Sequence, residues 1–256
     1  MDAIYILGNY FRTGKYVEKD DRKAAELYAK ASAKGHTLSH YNLAGCYYKG
    51  AGVVKDYKKA LELYHKAAED GLLNAEFNLF VFYYHGFGVE ADVSKAIEIC
   101  QQAAEKGDMR AQYSLGVIYR NGDNIEEDIL QSFVQFKKSA EQGYAPAQVG
   151  FGRCFELGIG TGKNDVKAVE LCKNSVDQKY APGMYRLARC YRSGIGVMKN
   201  SSKVLELYQK AAVISERLAL CYLHIGVIGL LFNYFRGSRP GLAVLISDII
   251  NYKGRF

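Results

Sequence analysis

Tryptophan is absent from this chain of 256 residues and proline occurs only 3 times, whereas tyrosine occurs 21 times. Few prolines together with abundant Ala, Leu, Lys and Glu favour helices. None of the 6 cysteines forms a CxxC pair, so the usual zinc and redox motifs are missing. Gly8 and Asn9 interrupt the first apolar stretch, and no secretory signal is predicted. We therefore expect reduced thiols in a cytoplasmic protein.

The motifs of the common catalytic classes are also missing. The sequence has no GxSxG, no P-loop and no HExxH, and no GxGxxG opens a helix after a strand. His36 and His40 form an i, i+4 pair that could hold a metal, but His36 follows Gly35 and is expected to face solvent. We therefore expect no catalytic residue, no cofactor site and no metal site.

The formal net charge of +7 is unevenly distributed along the chain. Residues 1–150 carry 18 Lys/Arg and 20 Asp/Glu, a net charge of −2, whereas residues 151–256 carry 16 and 7, a net charge of +9. A basic C-terminal half can attract acidic peptides, phosphate or anionic lipid. No run of consecutive basic residues occurs, and a solvated surface with a basic bias explains the same numbers.

A period of 36 residues organises the sequence from Ala3 to about Ser215 without a gap. Counting positions from the first residue of each unit, position 3 is small, position 7 large and apolar, position 11 aromatic and position 14 glycine. This spacing is typical of one helix face that ends at a left-handed glycine. A polar loop and a second helical pattern follow, and glycine closes that pattern at Gly35, Gly71, Gly107 and Gly143.

The repeated motif is A-x-x-x-L-G-x-x-Y-x-x-G-x-G followed by K-A-x-x-L-Y-x-K-A-A-x-x-G, and it is clearest from Leu43 to Gly52 and from Lys59 to Gly71. It resembles the Sel-one-like repeat family, a relative of the tetratricopeptide repeats, over about residues 1–215. The resemblance implies an all-α fold, a right-handed α/α superhelix or solenoid of helix-turn-helix repeats. It also implies a role as an adaptor or scaffold in protein assemblies.

Some repeats depart from this motif. Tyr16 and Asn124 replace the second glycine of the first loop, and Lys179 and Ser215 replace the glycine that closes the second helix. We expect the helix ends at Lys179 and Ser215 to be less standard than those that end at glycine.

We predict one continuous solenoid domain of six repeats, at about 1–36, 37–72, 73–108, 109–144, 145–180 and 181–217, followed by residues 218–256. Three interpretations of this last stretch remain open. Ala219 and Leu223 keep the phase of a degenerate seventh repeat or cap. The apolar run from Leu218 to Phe235 is close to the minimum length of a membrane helix and has positive charges beside it. The same run could instead dock against a partner.

The tetratricopeptide resemblance implies that positions 5, 9 and 12 of each first helix line the concave face. The residues at these positions that we single out are Tyr5, Asn9, Arg12, Tyr41, Tyr48, Phe77, Tyr84, Tyr113, Arg120, Arg153, Glu156, Tyr185, Arg189 and Arg192. This set is aromatic at one end and basic at the other. Aromatic and arginine side chains dominate binding energy at interfaces, but an aromatic that recurs at one phase can also be a packing residue.

We predict a protein-interaction scaffold that binds a partner protein or peptide through this concave face. Acidic groups of the partner are expected near Arg153, Arg189 and Arg192, because arginine can hold a carboxylate with two hydrogen bonds. Nucleic acid is not expected, since the arginines are confined to two repeats. One alternative is a scaffold tethered to a membrane by residues 218–250.

A second alternative is a small-ligand protein similar to the disulfide-rich relatives that are linked to β-lactam binding. The regular cysteine pairs of those relatives are missing here. Cys46, Cys154 and Cys190 share one repeat position, and Cys100 and Cys172 share another. Other repeats place large apolar residues at both positions, so the cysteines are predicted to be buried as small hydrophobic residues.

Overall fold

The computed structural model describes residues 1–122 and 126–214, and within those ranges every regular element is an α-helix. The helices are α1 (Asp2–Thr13), α2 (Asp21–Ser32), α3 (Thr37–Lys49), α4 (Tyr57–Glu69), α5 (Leu73–His85), α6 (Val93–Glu105), α7 (Met109–Asn121), α8 (Ile129–Glu141), α9 (Ala145–Leu157), α10 (Asp165–Asp177), α11 (Ala181–Ser193) and α12 (Ser201–Ile214). Odd-numbered helices are the first helices of the repeats and even-numbered helices the second. The predicted all-α class of helix-turn-helix repeats is confirmed.

The chain divides into two compact units, Met1–Asn164 and Asp165–Phe256. In the first unit α1 to α8 each pack against the next helix in sequence. In the second unit α10 packs on α11, and α11 packs on α12. Each unit is therefore a stack in which a helix contacts mainly its sequence neighbours, as repeat proteins do.

The first helices end where the sequence predicts. The glycine that follows each of them is left-handed, with φ between 68° at Gly122 and 77° at Gly194. Lys179, which stands in place of a closing glycine, keeps the left-handed backbone with φ 58°. The expectation of a less standard helix end is therefore wrong at Lys179. The Cβ atom of Lys179 makes this left-handed backbone conformation more strained than it is at glycine. Asn124 and Ser215 lie outside the described residues.

An aspartate or asparagine begins each second helix for which a capping bond is described. Its side chain accepts a hydrogen bond from the backbone N–H three residues later, for example from Lys23 to Asp20 at 2.9 Å. The residues that do this are Asp20, Asp56, Asp92, Asp128 and Asn200. These backbone bonds lower the pKa of Asp20 and Asp56 below the ordinary 3.8. The resulting stabilisation is present at neutral pH and is lost as the pH falls through the lowered pKa.

The second glycine of the first loop joins one repeat to the previous one. Gly52 has φ 71°, and a Cβ atom there would overlap the backbone carbonyl of Asp21 at the start of α2. A Cβ atom at Gly88 would lie 2.6 Å from the carbonyl carbon of Tyr57 at the start of α4. In the first repeat Tyr16 keeps the left-handed backbone, with φ 68°, and 77% of its side chain is exposed.

In repeats one to four and in repeat six, the two helices meet at position 28 of the second helix and position 8 of the first. Position 28 is buried in every repeat, by Tyr28, Tyr64, Cys100, Phe136, Cys172 and Tyr208. A Cβ atom at Gly8 would lie 2.8 Å from the Tyr28 ring, and one at Gly116 would lie 2.9 Å from the Phe136 ring. In repeat three the sizes are reversed, with Phe80 at position 8 and Cys100 at position 28, both in one buried cluster.

Residues 218–256 lie outside the described residues, and the three interpretations of that stretch stay predictions. None of the helices described in 1–122 and 126–214 is long and apolar enough to cross a membrane. The helix bounds alone do not test the predicted repeat boundaries, which also remain predictions.

The approach at Gly52 makes a prediction for stability. Gly52→Ala should lower the free energy of unfolding by roughly 3 kcal/mol, because it adds a backbone overlap to the left-handed strain. Gly35→Ala is the matched control, since Gly35 has φ 78° but no atom within 4 Å of the added methyl group. It should cost only about 1–2 kcal/mol. Urea unfolding followed by circular dichroism measures both, and equal losses would contradict the packing described.

Candidate partner-binding surface

The predicted binding residues lie on the first helices and keep part of their side chains accessible. We call positions 5, 9 and 12 of the first helices the first-helix surface. Arg12 and Arg153 are exposed. The half-buried residues are Tyr5, Asn9, Tyr41, Tyr48, Phe77, Tyr84, Tyr113, Arg120, Glu156, Tyr185, Arg189 and Arg192. Tyr185, Arg189 and Arg192 belong to the second compact unit and the others to the first.

In repeat one, the three positions converge on the buried ring of Tyr28. The Tyr28 hydroxyl donates to Asn9 Oδ1 at 2.8 Å and accepts from Arg12 Nε at 3.2 Å. The ring of Tyr5 lies 6.1 Å from the ring of Tyr28. Asn42 of the next repeat donates to Asn9 Oδ1 as well, at 3.3 Å. Position 28 therefore forms the floor beneath the first-helix surface.

The same contact between position 5 and position 28 recurs in other repeats that have aromatic residues at both of these positions. Ring centres are 5.6 Å apart for Tyr41 and Tyr64, 5.8 Å for Tyr113 and Phe136, and 6.0 Å for Tyr185 and Tyr208. Each position-5 ring thus rests on its own second helix while its other side stays partly accessible. Packing and binding are compatible roles for these aromatic residues.

Tyr48 and Tyr84 are held more by packing than the position-5 rings are. The Tyr48 ring lies 5.7 Å from Tyr57, 5.5 Å from Phe82 and 5.7 Å from Phe87, so it joins repeats two and three. The Tyr84 ring lies 5.6 Å from the buried ring of Phe80. For these two tyrosines the contacts favour the packing interpretation.

Sequence reasoning missed Arg110, at position 2 of repeat four. Its guanidinium lies 4.5 Å from the ring centre of Phe77 and donates to Asn74 Oδ1 at 2.7 Å. A further hydrogen bond links Arg110 to Tyr41. One side chain thus connects the surfaces of repeats two, three and four. No sequence signal pointed to it, because position 2 has no recurring residue type.

Asp108 holds Arg110 in this place. The carboxylate is buried and accepts from Arg110 Nη2 at 2.6 Å and from Arg110 Nε at 3.2 Å. It also caps α7 by accepting from the backbone N–H groups of Arg110 and Ala111. A single carboxylate therefore fixes both the start of the helix and the direction of the guanidinium.

The predicted basic residues lie in two separate groups, one in each compact unit. In the first unit, burial raises the pKa of the Cys154 thiol to about 11, and the positive charges of Arg120 and Arg153 oppose that rise. Both guanidinium groups therefore lie near the same thiol. In the second unit, burial raises the pKa of Tyr208 and the charge of Arg192 opposes the rise.

The expected exposure of His36 is wrong. Its side chain is only 14% exposed, because Nδ1 accepts from the backbone N–H of Ser39 and thereby caps α3. His40 is buried, with Nδ1 2.7 Å from the hydroxyl of Ser32. The two histidines have separate structural partners, and no group of three metal-binding side chains occurs among the described residues.

The family model of the Sel1 repeat matches residues 2–36, 37–72, 73–108, 110–144, 145–180 and 181–212. The chain belongs to the Sel1 repeat family. This confirms the resemblance found in the sequence. Sel1 repeat proteins generally act as protein-interaction scaffolds. No curated protein matches the chain.

Solved structures of Sel1 repeat proteins resemble the chain. A Sel1 repeat protein from Oxalobacter formigenes is 27% identical, with a TM-score of 0.79 over 84% of this chain and 88% of that one. A protective antigen of uropathogenic Escherichia coli with an SLR fold is 32% identical, with a TM-score of 0.69. That match covers 93% of this chain but 50% of the antigen. An immunity protein from Pseudomonas aeruginosa is 25% identical, with a TM-score of 0.58 over 83% of this chain and 81% of that one.

The cysteines of these Sel1 repeats are packing residues, as predicted. The five described ones are buried, namely Cys46, Cys100, Cys154, Cys172 and Cys190. Burial raises the pKa of the Cys100 thiol to about 12, which keeps it neutral at physiological pH. Cys221 lies outside the described residues.

Burial of the thiols predicts low reactivity in the folded Sel1 repeats. At about pH 8, a thiol-reactive aromatic disulfide should modify none of the five described cysteines until urea unfolds the chain, because the thiolate is the reactive form. Absorbance of the released thiolate measures the number. A Cys221→Ser variant removes the remaining cysteine, and rapid reaction of this folded variant would contradict the packing.

The two roles of Asp108 predict a larger loss than a helix cap alone would cause. Asp108→Ala should lower the free energy of unfolding by roughly 2–4 kcal/mol, because it removes the cap and leaves the Arg110 guanidinium without its carboxylate. Asp92→Ala is the control, since Asp92 caps α6 and is exposed. It should cost about 1 kcal/mol in the same urea titration. Similar losses for the two variants would rule out the second role.

Proposed function

We propose that this Sel1 repeat protein is an adaptor that binds a partner protein or peptide through the first-helix surface. The observation that carries the proposal is the repeated pairing of a half-buried position-5 ring with a buried position-28 side chain. It is seen at Tyr5, Tyr41, Tyr113 and Tyr185. Such rings offer large apolar area together with a polar hydroxyl, which is what interface anchors provide.

The rigidity of these side chains supports the proposal. Tyr41 contacts both the Tyr64 ring and Arg110, and Arg110 itself is held by Asp108. Side chains already fixed by neighbours lose little rotamer entropy when a ligand binds. A partner that reaches Tyr41 therefore meets an anchor that needs no rearrangement.

Charge indicates the kind of partner. The first unit has Arg120 and Arg153, whose charges both act on the Cys154 thiol, and the second has Arg189 and Arg192 at positions 9 and 12 of α11. Residues 151–256 carry a net charge of +9. A partner with acidic side chains opposite these groups would gain charge-assisted hydrogen bonds and faster association. We therefore propose that the partner segment is acidic near repeats five and six.

A peptide display selection on the immobilised intact chain tests the proposal. Peptides enriched on the wild type should lose about tenfold or more in affinity for Arg153→Glu or for the Arg189→Glu/Arg192→Glu double variant, since arginine is often a hot-spot residue. Glu62→Ala is the control, because Glu62 is exposed on the second helix α4. Fluorescence anisotropy measures each affinity.

Failure to enrich any peptide would overturn the proposed function. So would enriched peptides that bind both arginine variants with wild-type affinity and lose affinity for Glu62→Ala instead. Circular dichroism of each variant shows whether the fold is retained, so a loss of binding is not confused with unfolding.

A further inference from the structure

The hydroxyl of Tyr208 is buried and has no hydrogen-bond partner among the described residues. Tyr208 stands at position 28 of repeat six, the position that Tyr28 occupies in repeat one. The Tyr28 hydroxyl, by contrast, both donates and accepts a hydrogen bond. Two tyrosines at the same place in the repeat thus differ in whether their hydroxyl is satisfied.

The residues at position 9 explain this difference. In repeat one, Asn9 supplies the amide oxygen that accepts the Tyr28 proton. In repeat six the same position is Arg189, whose guanidinium can donate hydrogen bonds but cannot accept them. Position 12 is arginine in both repeats and is likewise only a donor. The Tyr208 proton therefore has no acceptor from the positions that serve Tyr28.

The surroundings of Tyr208 are positive and aromatic. The ring of Tyr185 lies 6.0 Å away, and the charge of Arg192 is close enough to oppose the burial that raises the Tyr208 pKa. A buried hydroxyl donor beside a guanidinium lacks one kind of group, an anionic oxygen. A buried polar group without a partner costs free energy in the unbound protein, and a ligand that supplies the partner recovers that cost as affinity.

We propose that repeat six holds a carboxylate subsite within the first-helix surface. One carboxylate oxygen of an acidic partner side chain accepts from the Tyr208 hydroxyl, and the other accepts from the guanidinium of Arg192. Arg189, one turn earlier on α11, adds positive charge. This inference rests on the proposed function, because it names the chemistry of the partner at the part of the first-helix surface that belongs to repeat six.

For a ligand to reach the buried hydroxyl, neighbouring side chains must move. Arg189 and Arg192 are half-buried and long, and changes of rotamer at an interface are common even where the backbone does not move. In repeat one, the Arg12 side chain already extends over the Tyr28 hydroxyl, which shows that arginine at position 12 can reach position 28.

The test uses the intact chain and a fluorescein-labelled peptide of alternating glutamate and alanine. Two further peptides carry glutamine or phosphoserine in place of glutamate. The wild type should bind the glutamate peptide and not the glutamine peptide in an anisotropy titration. Tyr208→Phe should bind the glutamate peptide roughly ten- to a hundredfold more weakly, as expected when a hydrogen bond to a charged group is lost.

Tyr191→Phe is the matched binding control. Tyr191 lies on α11 of the same repeat and is also buried, but its hydroxyl accepts from Lys203 Nζ at 3.3 Å. This variant should bind the glutamate peptide as the wild type does. A thermal melt adds a readout that does not depend on the ligand. Tyr208→Phe should melt at or above the wild-type temperature, and Tyr28→Phe should melt below it, because only Tyr28 loses native hydrogen bonds.

Equal affinity of Tyr208→Phe and wild type for the glutamate peptide would overturn the subsite. Binding of the phosphoserine peptide alone would also overturn it, in favour of phosphate. If display-selected peptides bind the first-helix surface while the glutamate peptide does not bind, the subsite fails and the proposed function stands. If the selection enriches nothing, the proposed function fails as well.

Discussion

Repeats one to four and repeat six each depend on the contact between position 28 of the second helix and position 8 of the first. Where position 28 is a large ring, position 8 is small enough to let the helices meet, as Gly8 does for Tyr28 and Gly116 for Phe136. Where position 8 is large, as at Phe80, position 28 is a cysteine. In these repeats a large residue at one position is matched by a small residue at the other, as a close-packed interior demands. This contact also fixes the place of the position-28 side chain, which lies beneath the surface residues of the same repeat.

The arrangement of the first-helix surface depends on this buried side chain. A ring at position 5 packs against a ring at position 28, and polar groups at positions 9 and 12 reach the same hydroxyl in repeat one. A change at position 9 therefore alters the chemistry of a buried tyrosine without altering the fold. Asn9 and Arg189 show the two outcomes, a satisfied hydroxyl in repeat one and an unsatisfied one in repeat six.

Contacts between repeats add a second level of order. The glycine at Gly52 lets the loop of repeat two approach the start of α2, and Arg110 connects three successive repeats across the first-helix surface. Both contacts join residues that are at most two repeats apart in the sequence. A substitution is therefore expected to act mainly on its own repeat and the adjacent ones.

The sequence was sufficient for the repeat period and the helix ends, because these follow from local spacing and from residue types that recur. Gly14 and the other helix-terminating glycines illustrate this, and so do the buried cysteines. The roles of Arg110 and His36 could not be predicted in this way. Each depends on a partner in a different repeat or on cap geometry, namely Phe77 and Asn74 for Arg110, and the backbone of Ser39 for His36. The unsatisfied hydroxyl of Tyr208 stands out only by comparison with the hydrogen bonds that Tyr28 makes at the same repeat position.

We propose above all that partners bind the first-helix surface. Photo-cross-linking to a display-selected peptide measures this most directly, with p-benzoylphenylalanine placed in turn at positions 41, 77, 113 and 185, and at exposed position 62 on α4 for comparison. We predict cross-links at one or more of the first-helix positions and none at position 62. Cross-links confined to position 62 would contradict the account.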